Sequence, residues 1–210
     1  MNSNISRILV CMMISGWMLT GCLRLGERPA ERISYVFTAE RPGKPGEKSG
    51  SAVLQVTPMR ISPRFNSRSF VYRKGASRYQ TDYYHQFLIA PASLIQEEVV
   101  HWLAASPGLS MAGASAGPLP PDYLLQGHII DLYADYRQEQ PSAILEIAFL
   151  LLEHPAVENP VLLRRRYRSE IPAGHNSPDA LIKAWDCALT RILENLERDL
   201  IVAIEDHRRR

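Results

Sequence analysis

From Ser177 to about Asp206 the chain carries one long amphipathic pattern, and this stretch limits the possible folds more than any other. Leu181, Trp185, Ala188, Leu189, Ile192, Leu196, Leu200 and Ala203 recur at three- and four-residue intervals and line one stripe of a helix. Ser177 stands where a cap belongs. Pro178 then takes the first helical position, where its missing N–H costs no hydrogen bond, and Asp179 follows it. At about 1.5 Å per residue the helix reaches roughly 40 Å. A stripe of that length needs a broad apolar surface beneath it, which a sheet of several strands supplies.

The rest of the chain reads as that sheet. Strand candidates rich in β-branched and aromatic residues are Ile33 to Thr38, Ala52 to Arg60, Ser69 to Arg73 and Arg78 to Tyr84. Pro58 argues for an edge or a bulge, Lys74-Gly75-Ala76-Ser77 for a hairpin, and the proline- and glycine-rich Arg41 to Gly50 for a mobile loop. Pro91 opens a helix over Ser93 to Ala105, with Leu94, Ile95, Val99, Trp102 and Leu103 on one side, and Ser106-Pro107-Gly108 ends it. Leu109 to Asp122 reads as an irregular connection.

Leu124 to Tyr136 alternates, with Leu125, Gly127, Ile129, Asp131, Tyr133 and Asp135 expected on one face. Ala143 to Glu153 is apolar enough for a central strand, and Val161 to Ile171 follows the turn residues Glu158-Asn159-Pro160. The expected fold class is therefore α/β of the α+β kind. It is a single domain with a mixed, mainly antiparallel sheet and two helices packed on it, the C-terminal one long.

At the other end, Arg7 precedes an apolar run from Ile8 to Leu19. A spanning helix wants about 20 apolar residues, so this run fits a cleaved secretory signal better. Leu19-Thr20-Gly21-Cys22 resembles the lipobox of bacterial lipoproteins. That resemblance implies cleavage before Cys22, a thioether-linked diacylglycerol on its sulfur and a third acyl chain on the new amino terminus. One acyl chain anchors marginally, whereas two or more hold stably. The expected division is a signal peptide over 1–21, a lipidated tether over 22–32 and the folded domain over 33–210. Leu23 and Arg24 follow the cysteine where an aspartate is the usual inner-membrane retention signal, which implies the periplasmic face of the outer membrane.

Several functions find no support. Residues 22–210 carry 23 basic and 22 acidic side chains, which is no charge excess for a nucleic-acid surface. With Cys11 in the signal and Cys22 lipidated, Cys187 is left without a disulfide partner. Helix geometry puts it opposite the apolar stripe, beside Lys183, Arg191, Glu194 and Arg198. An odd thiol in an oxidising compartment leaves two readings: the face is covered in an assembly, with another copy or with a partner, or the thiol is exposed and tolerated. Gly113-Ala-Ser-Ala-Gly117 satisfies the Gly-x-Ser-x-Gly pattern, and Asp131 and His154 complete a triad on paper around Ser115. However, Pro118, Pro120 and Pro121 oppose the helix that a nucleophile elbow requires, so a serine hydrolase is a remote alternative. The six histidines lack metal-ligand spacing, and no cofactor is expected.

Tyr79-Gln-Thr-Asp-Tyr-Tyr-His-Gln-Phe-Leu-Ile-Ala-Pro-Ala92, the Trp102-Leu103 helix after it and Ser69-Phe-Val-Tyr-Arg73 before it resemble the ABC-type transport auxiliary lipoprotein family. One departure is Phe87, where many members carry tryptophan. The resemblance implies a non-enzymatic accessory lipoprotein. Such a protein works with a mammalian-cell-entry-domain subunit of an ABC transporter that moves phospholipid or other lipophilic molecules between inner and outer membranes. Most of Phe70, Tyr72, Tyr79, Tyr83, Tyr84 and Phe87 are expected in the sheet core. Tyr72, Arg73, Tyr83, Tyr84 and Phe87 are the candidates for a partner-binding surface, and a homo-oligomer fits the same picture. The alternative is an outer-membrane assembly or pilotin-type lipoprotein, which would share the anchor and the size.

Overall fold

The strand around which the sheet is assembled is Tyr123–Asp135, in which buried and half-exposed residues alternate up to Ile130. The structure, a computed structural model, describes residues 31–43, 47–115, 119–155 and 160–209. The signal, Cys22 and most of the tether lie outside these residues. The strands in chain order are β1 (Ile33–Tyr35), β2 (Val53–Val56), β3 (Arg60–Ile61), β4 (Ser69–Arg73), β5 (Tyr79–Phe87), β6 (Met111–Gly113), β7 (Tyr123–Asp135), β8 (Ser142–Glu153) and β9 (Val161–Pro172). The helices are α1 (Pro91–Ala104) and α2 (Pro178–Arg208).

Among the described residues these nine strands form one mixed sheet. Its long ladders, β7 with β8 and β8 with β9, are antiparallel, as is the β4–β5 hairpin. Along its other edge β7 pairs in parallel with β2, then β3, then β4. β6 continues the sheet beyond β2, and β1 continues it beyond β5. The single strand expected over Ala52 to Arg60 is thus two strands broken at Pro58, whose missing N–H cannot join a ladder. The connection expected to be irregular holds β6, because the free edge of β2 offers partners that local propensity does not reveal.

The ladder between β7 and β8 shifts between Ile129 and Asp131. This bulge reverses the alternation. Leu125, Gly127 and Ile129 share the helix-covered face with Ile147 and Phe149, while Asp131, Tyr133 and Asp135 turn to the opposite face, contrary to the uninterrupted pattern expected from sequence. Gly127 is needed here, since a Cβ would lie 2.6 Å from Cε of Met59. The end of the loop expected to be mobile is also fixed. The N–H groups of Ser49 and Gly50 both donate to the Pro107 carbonyl at 3.0 Å, and a Cβ on Gly50 would lie 2.0 Å from the Gly108 oxygen.

Both helices have the expected boundaries to within two residues. Ser177 Oγ accepts from the Ala180 N–H at 3.2 Å, and the apolar stripe of α2 lies buried over β8 and β9. At about 1.5 Å per residue its 31 residues extend about 46 Å. Trp185 is fully buried, donates to the Ile144 carbonyl at 3.2 Å and packs on Phe70 and Phe87 at ring distances of 5.1 and 5.8 Å. Phe37 stacks on Phe87 at 5.1 Å and completes this aromatic core. Trp102 of α1 donates to Glu197 of α2 at 2.8 Å, and Arg41 joins the same carboxylate at 2.7 Å. Among the described residues no helix is long and apolar enough to cross a membrane.

The segment after β1 is strapped to both helices by carboxylates. The Thr38 N–H donates to Asp186 at 2.9 Å and the Ala39 N–H to Glu98 at 2.8 Å. Burial pushes the Asp186 carboxyl up to about 6, with the charges of Glu98 and Glu40 adding to the effect and the Thr38 N–H opposing it. A carboxyl whose pKa is raised by folding stabilises the folded state below its unfolded value and loses that contribution as pH rises through its folded value. Asp186→Asn keeps the acceptor and removes the charge. Urea titrations from pH 4 to 7 are therefore expected to show the variant gaining stability relative to the parent protein as pH rises, with most of the change complete near pH 6.

Candidate functional site

β5 is an edge strand over most of its length. β4 pairs along one side of it, while β1 covers the other side only at His85, Gln86 and Phe87. Between the pairs Val71–Thr81 and Ser69–Gln86 the register shifts, so residues 82–85 oppose Phe70 alone and form a bulge. Asp82 holds this bulge. Its carboxylate accepts from the N–H groups of Tyr84 at 2.7 Å and His85 at 3.0 Å, meets His85 Nδ1 at 2.9 Å and accepts from the Tyr72 hydroxyl. Burial alone would raise the Asp82 carboxyl, but these hydrogen bonds outweigh it and hold the group below the usual carboxylate range. The Tyr72 phenol is pushed up, first by burial and then by its bond to Asp82.

The bulge turns two aromatic residues outward. Tyr83 is 64% exposed and Tyr84 47% exposed, and their rings meet edge-on at 5.2 Å. Arg32, at the end of the tether, lies over the Tyr83 ring at 4.7 Å. Ile33, Val36, Leu88 and Ile89 are exposed along the same edge. These four were missed from sequence, although Leu88 and Ile89 extend an apolar run past the end of the strand. Exposed apolar side chains beside unpaired strand backbone form a surface that favours association.

The other candidates sit behind this surface. Tyr72 is half-buried against Tyr136 at 5.2 Å, with Lys74 Nζ 3.7 Å from the Tyr136 ring centre. Arg73 clasps the hairpin, donating to the carbonyls of Gly75 and Ala76 and lying over the rings of Tyr79 and Tyr133. Phe87 is only 2% exposed and belongs to the aromatic core, so it supports the edge from within. Tyr83 and Tyr84 are thus the two candidates whose rings face solvent.

Ser115 follows β6, and among the described residues the next element is strand β7, so these residues show no strand–turn–helix context for a nucleophile elbow. Asp131 is engaged by Arg168 at 3.3 Å. Among the described residues no group of three or more His, Cys, Asp or Glu side chains is placed to hold a metal ion. Cys187 is exposed on α2.

A family model described as ABC-type transport auxiliary lipoprotein component matches residues 35–197. No curated protein matches the chain. Among solved structures the fold is similar to protein XCC0632 from Xanthomonas campestris, with a TM-score of 0.72 at 18% identity over 85% of this chain and 100% of that one. It is also similar to an uncharacterized protein, with a TM-score of 0.62 at 14% identity over 74% of this chain and 96% of that one. At these identities the likeness speaks to the fold alone.

The geometry around Asp82 generates one prediction. Asp82→Ala leaves the amides of Tyr84 and His85 and the Tyr72 hydroxyl without their acceptor, at an expected cost of about 1–3 kcal/mol. Hydrogen exchange followed by NMR should show the Tyr84 and His85 amides opening at least about tenfold faster, with the α2 amides much less affected.

Proposed function

Because the chain belongs to the ABC-type transport auxiliary lipoprotein family, we propose that it is a lipid-anchored accessory subunit that docks on a partner through the β1–β5 edge. The partner is the mammalian-cell-entry-domain subunit of an ABC transporter, and the cargo is phospholipid or another lipophilic molecule passing between inner and outer membranes. The anchor is the acylated Cys22, in the outer membrane on its periplasmic side. Carrying this reading is the exposed Tyr83–Tyr84 pair on its Asp82-braced bulge, surrounded by Ile33, Val36, Leu88 and Ile89. Tyrosines held rigid by a strand lose little conformational freedom on binding and supply large contact area, which is why such residues dominate binding energy. The edge begins beside Arg32, so a tether of about ten residues joins it to Cys22.

The protein acts in this reading by binding and positioning. Binding energy comes from apolar burial at the edge, and the open backbone of β1 and β5 offers hydrogen bonds to an added strand. In a pull-down from envelope extract, Tyr83→Ser and Tyr84→Ser, separately, are expected to weaken recovery of the transporter subunit by at least about tenfold, because hot-spot aromatics each contribute about 2 kcal/mol or more. Both side chains are exposed, so thermal unfolding should be little changed. Unaltered recovery with both variants would move the docking surface elsewhere.

Cys22→Ala, expressed behind a signal that is cleaved in the ordinary way, should release the domain from the membrane fraction while it still folds. A variant that remains membrane-bound after signal removal would rule out the lipid as the anchor.

A further inference from the structure

The face of the sheet away from the helices carries a trough between two guanidinium groups. Strand register builds it. Arg60 of β3 lies beside His128 of β7, and His128 lies opposite Ala148 of β8. Two residues earlier on the same face of β7, Gln126 lies opposite Leu150, which in turn lies opposite Arg164 of β9. Ala148 has the smallest side chain in this group, so the floor dips there. The result is a cavity of about 210 Å³ lined by Arg60, Gln126, His128, Ala148, Leu150 and Arg164.

The charge in the trough is uncompensated. Elsewhere on this face the arginines have partners: Arg166 meets Glu146 at 3.4 Å, and Arg168 meets Glu146 at 3.2 Å and Asp131 at 3.3 Å. Among the described residues no carboxylate lines the trough, and neither Arg60 nor Arg164 makes an ion pair. His128 Nδ1 is buried at the same place without a hydrogen-bond partner, a rare condition among the described side chains. Buried polar atoms are nearly always paired, so an orphaned one marks this part of the sheet as unusual.

The geometry points to an anion-binding site for a phosphate ester on the uncovered face of the sheet, with Arg60 and Arg164 approaching the phosphate from two sides and the His128 ring between them. Guanidinium groups suit phosphate because their planar forks present paired N–H donors. Arg60 and Arg164 stand on strands three spacings apart, about 14 Å at roughly 4.8 Å per spacing, which suits a group with a body more than a bare ion. Half-buried Ala148 and Leu150 take the carbon part of the ester. This chemistry is common to a phospholipid headgroup and to a free phosphate compound. The site lies apart from the β1–β5 edge and does not depend on the docking reading.

The test uses the full-length protein in a non-ionic detergent, with its histidine ring nitrogens observed by NMR. Two probes are titrated at constant ionic strength: inorganic phosphate, and the soluble short-chain lipid dihexanoylphosphatidylglycerol. The expected result is a saturable shift of the His128 signals, with affinity weakened at least about tenfold in Arg60→Gln and in Arg164→Gln, the scale of one lost charge-assisted contact. Arg165→Gln should bind as the parent protein does, because strand alternation puts that side chain on the opposite face. Saturation by phosphate alone supports a site for free phosphate compounds, and saturation only by the lipid supports a headgroup site. Both arginines are exposed, so the variants keep the fold, checked by identical circular dichroism melts. No saturable shift with either probe, or affinities unchanged in both arginine variants, would overturn the assignment.

Discussion

A strand inside a sheet must satisfy hydrogen-bonding groups on both of its edges, and the arrangement of this protein follows from how β7 does so. One edge is filled by β8 alone, in register along nearly the whole strand. The other is filled by three short pieces taken in chain order, β2, β3 and β4, with the Thr57 N–H bonding the Leu125 carbonyl and the Ser62 N–H bonding the Ile129 carbonyl between them. The chain from Val53 to Arg73 is therefore laid along β7, kinked at Pro58 and again at the short 3₁₀ turn Pro63–Phe65. β4 then fixes β5, and β5 fixes β1. The exposed aromatic edge inherits its place from a ladder several strands away.

The two faces of the sheet are chemically unlike. Beneath the helices the side chains are apolar and close-packed around Trp185, Phe70 and Phe87. On the other face Asp131, Glu146, Arg166 and Arg168 form a charged ladder across β7, β8 and β9. Such cross-strand pairs contribute modestly when exposed, so the helix-covered face carries most of the stability and the open face is free to carry recognition.

Much of this was legible in the sequence because it is set locally. The 3.6-residue stripe from Leu181 to Leu200 and the Ser177-Pro178 start identify α2, and the apolar run from Ala143 to Glu153 identifies a central strand. The features that were not legible depend on distant partners. The bulge after Ile129 moves Asp131 and Tyr133 to the other face of the sheet, and no local pattern announces it. β6 exists because β2 offers an edge. At the candidate docking edge, residue type pointed to Tyr83 and Tyr84. The role of Asp82 and the core position of Phe87 follow from the second bulge, which shifts the phase of β5 midway along its length. Arg60 and Arg164 stand more than a hundred residues apart, and only the strand order brings them to one trough.

α2 meets the rest of the fold near both of its ends. Arg208 donates to the Ser51 hydroxyl at 2.7 Å, His207 meets Glu153 at 3.1 Å, and Trp185 covers rings contributed by β4 and β5. As the chain grows from its amino end, the strands that carry Phe70, Phe87 and Leu125 are made long before the helix that shields them. Until α2 emerges their apolar faces stay uncovered, so assembly of the core is a late event of synthesis and rests on contacts of high sequence separation. A chain interrupted before Trp185 would keep every strand and still lack the residue around which they pack, leaving a sticky sheet for chaperones and proteases to handle.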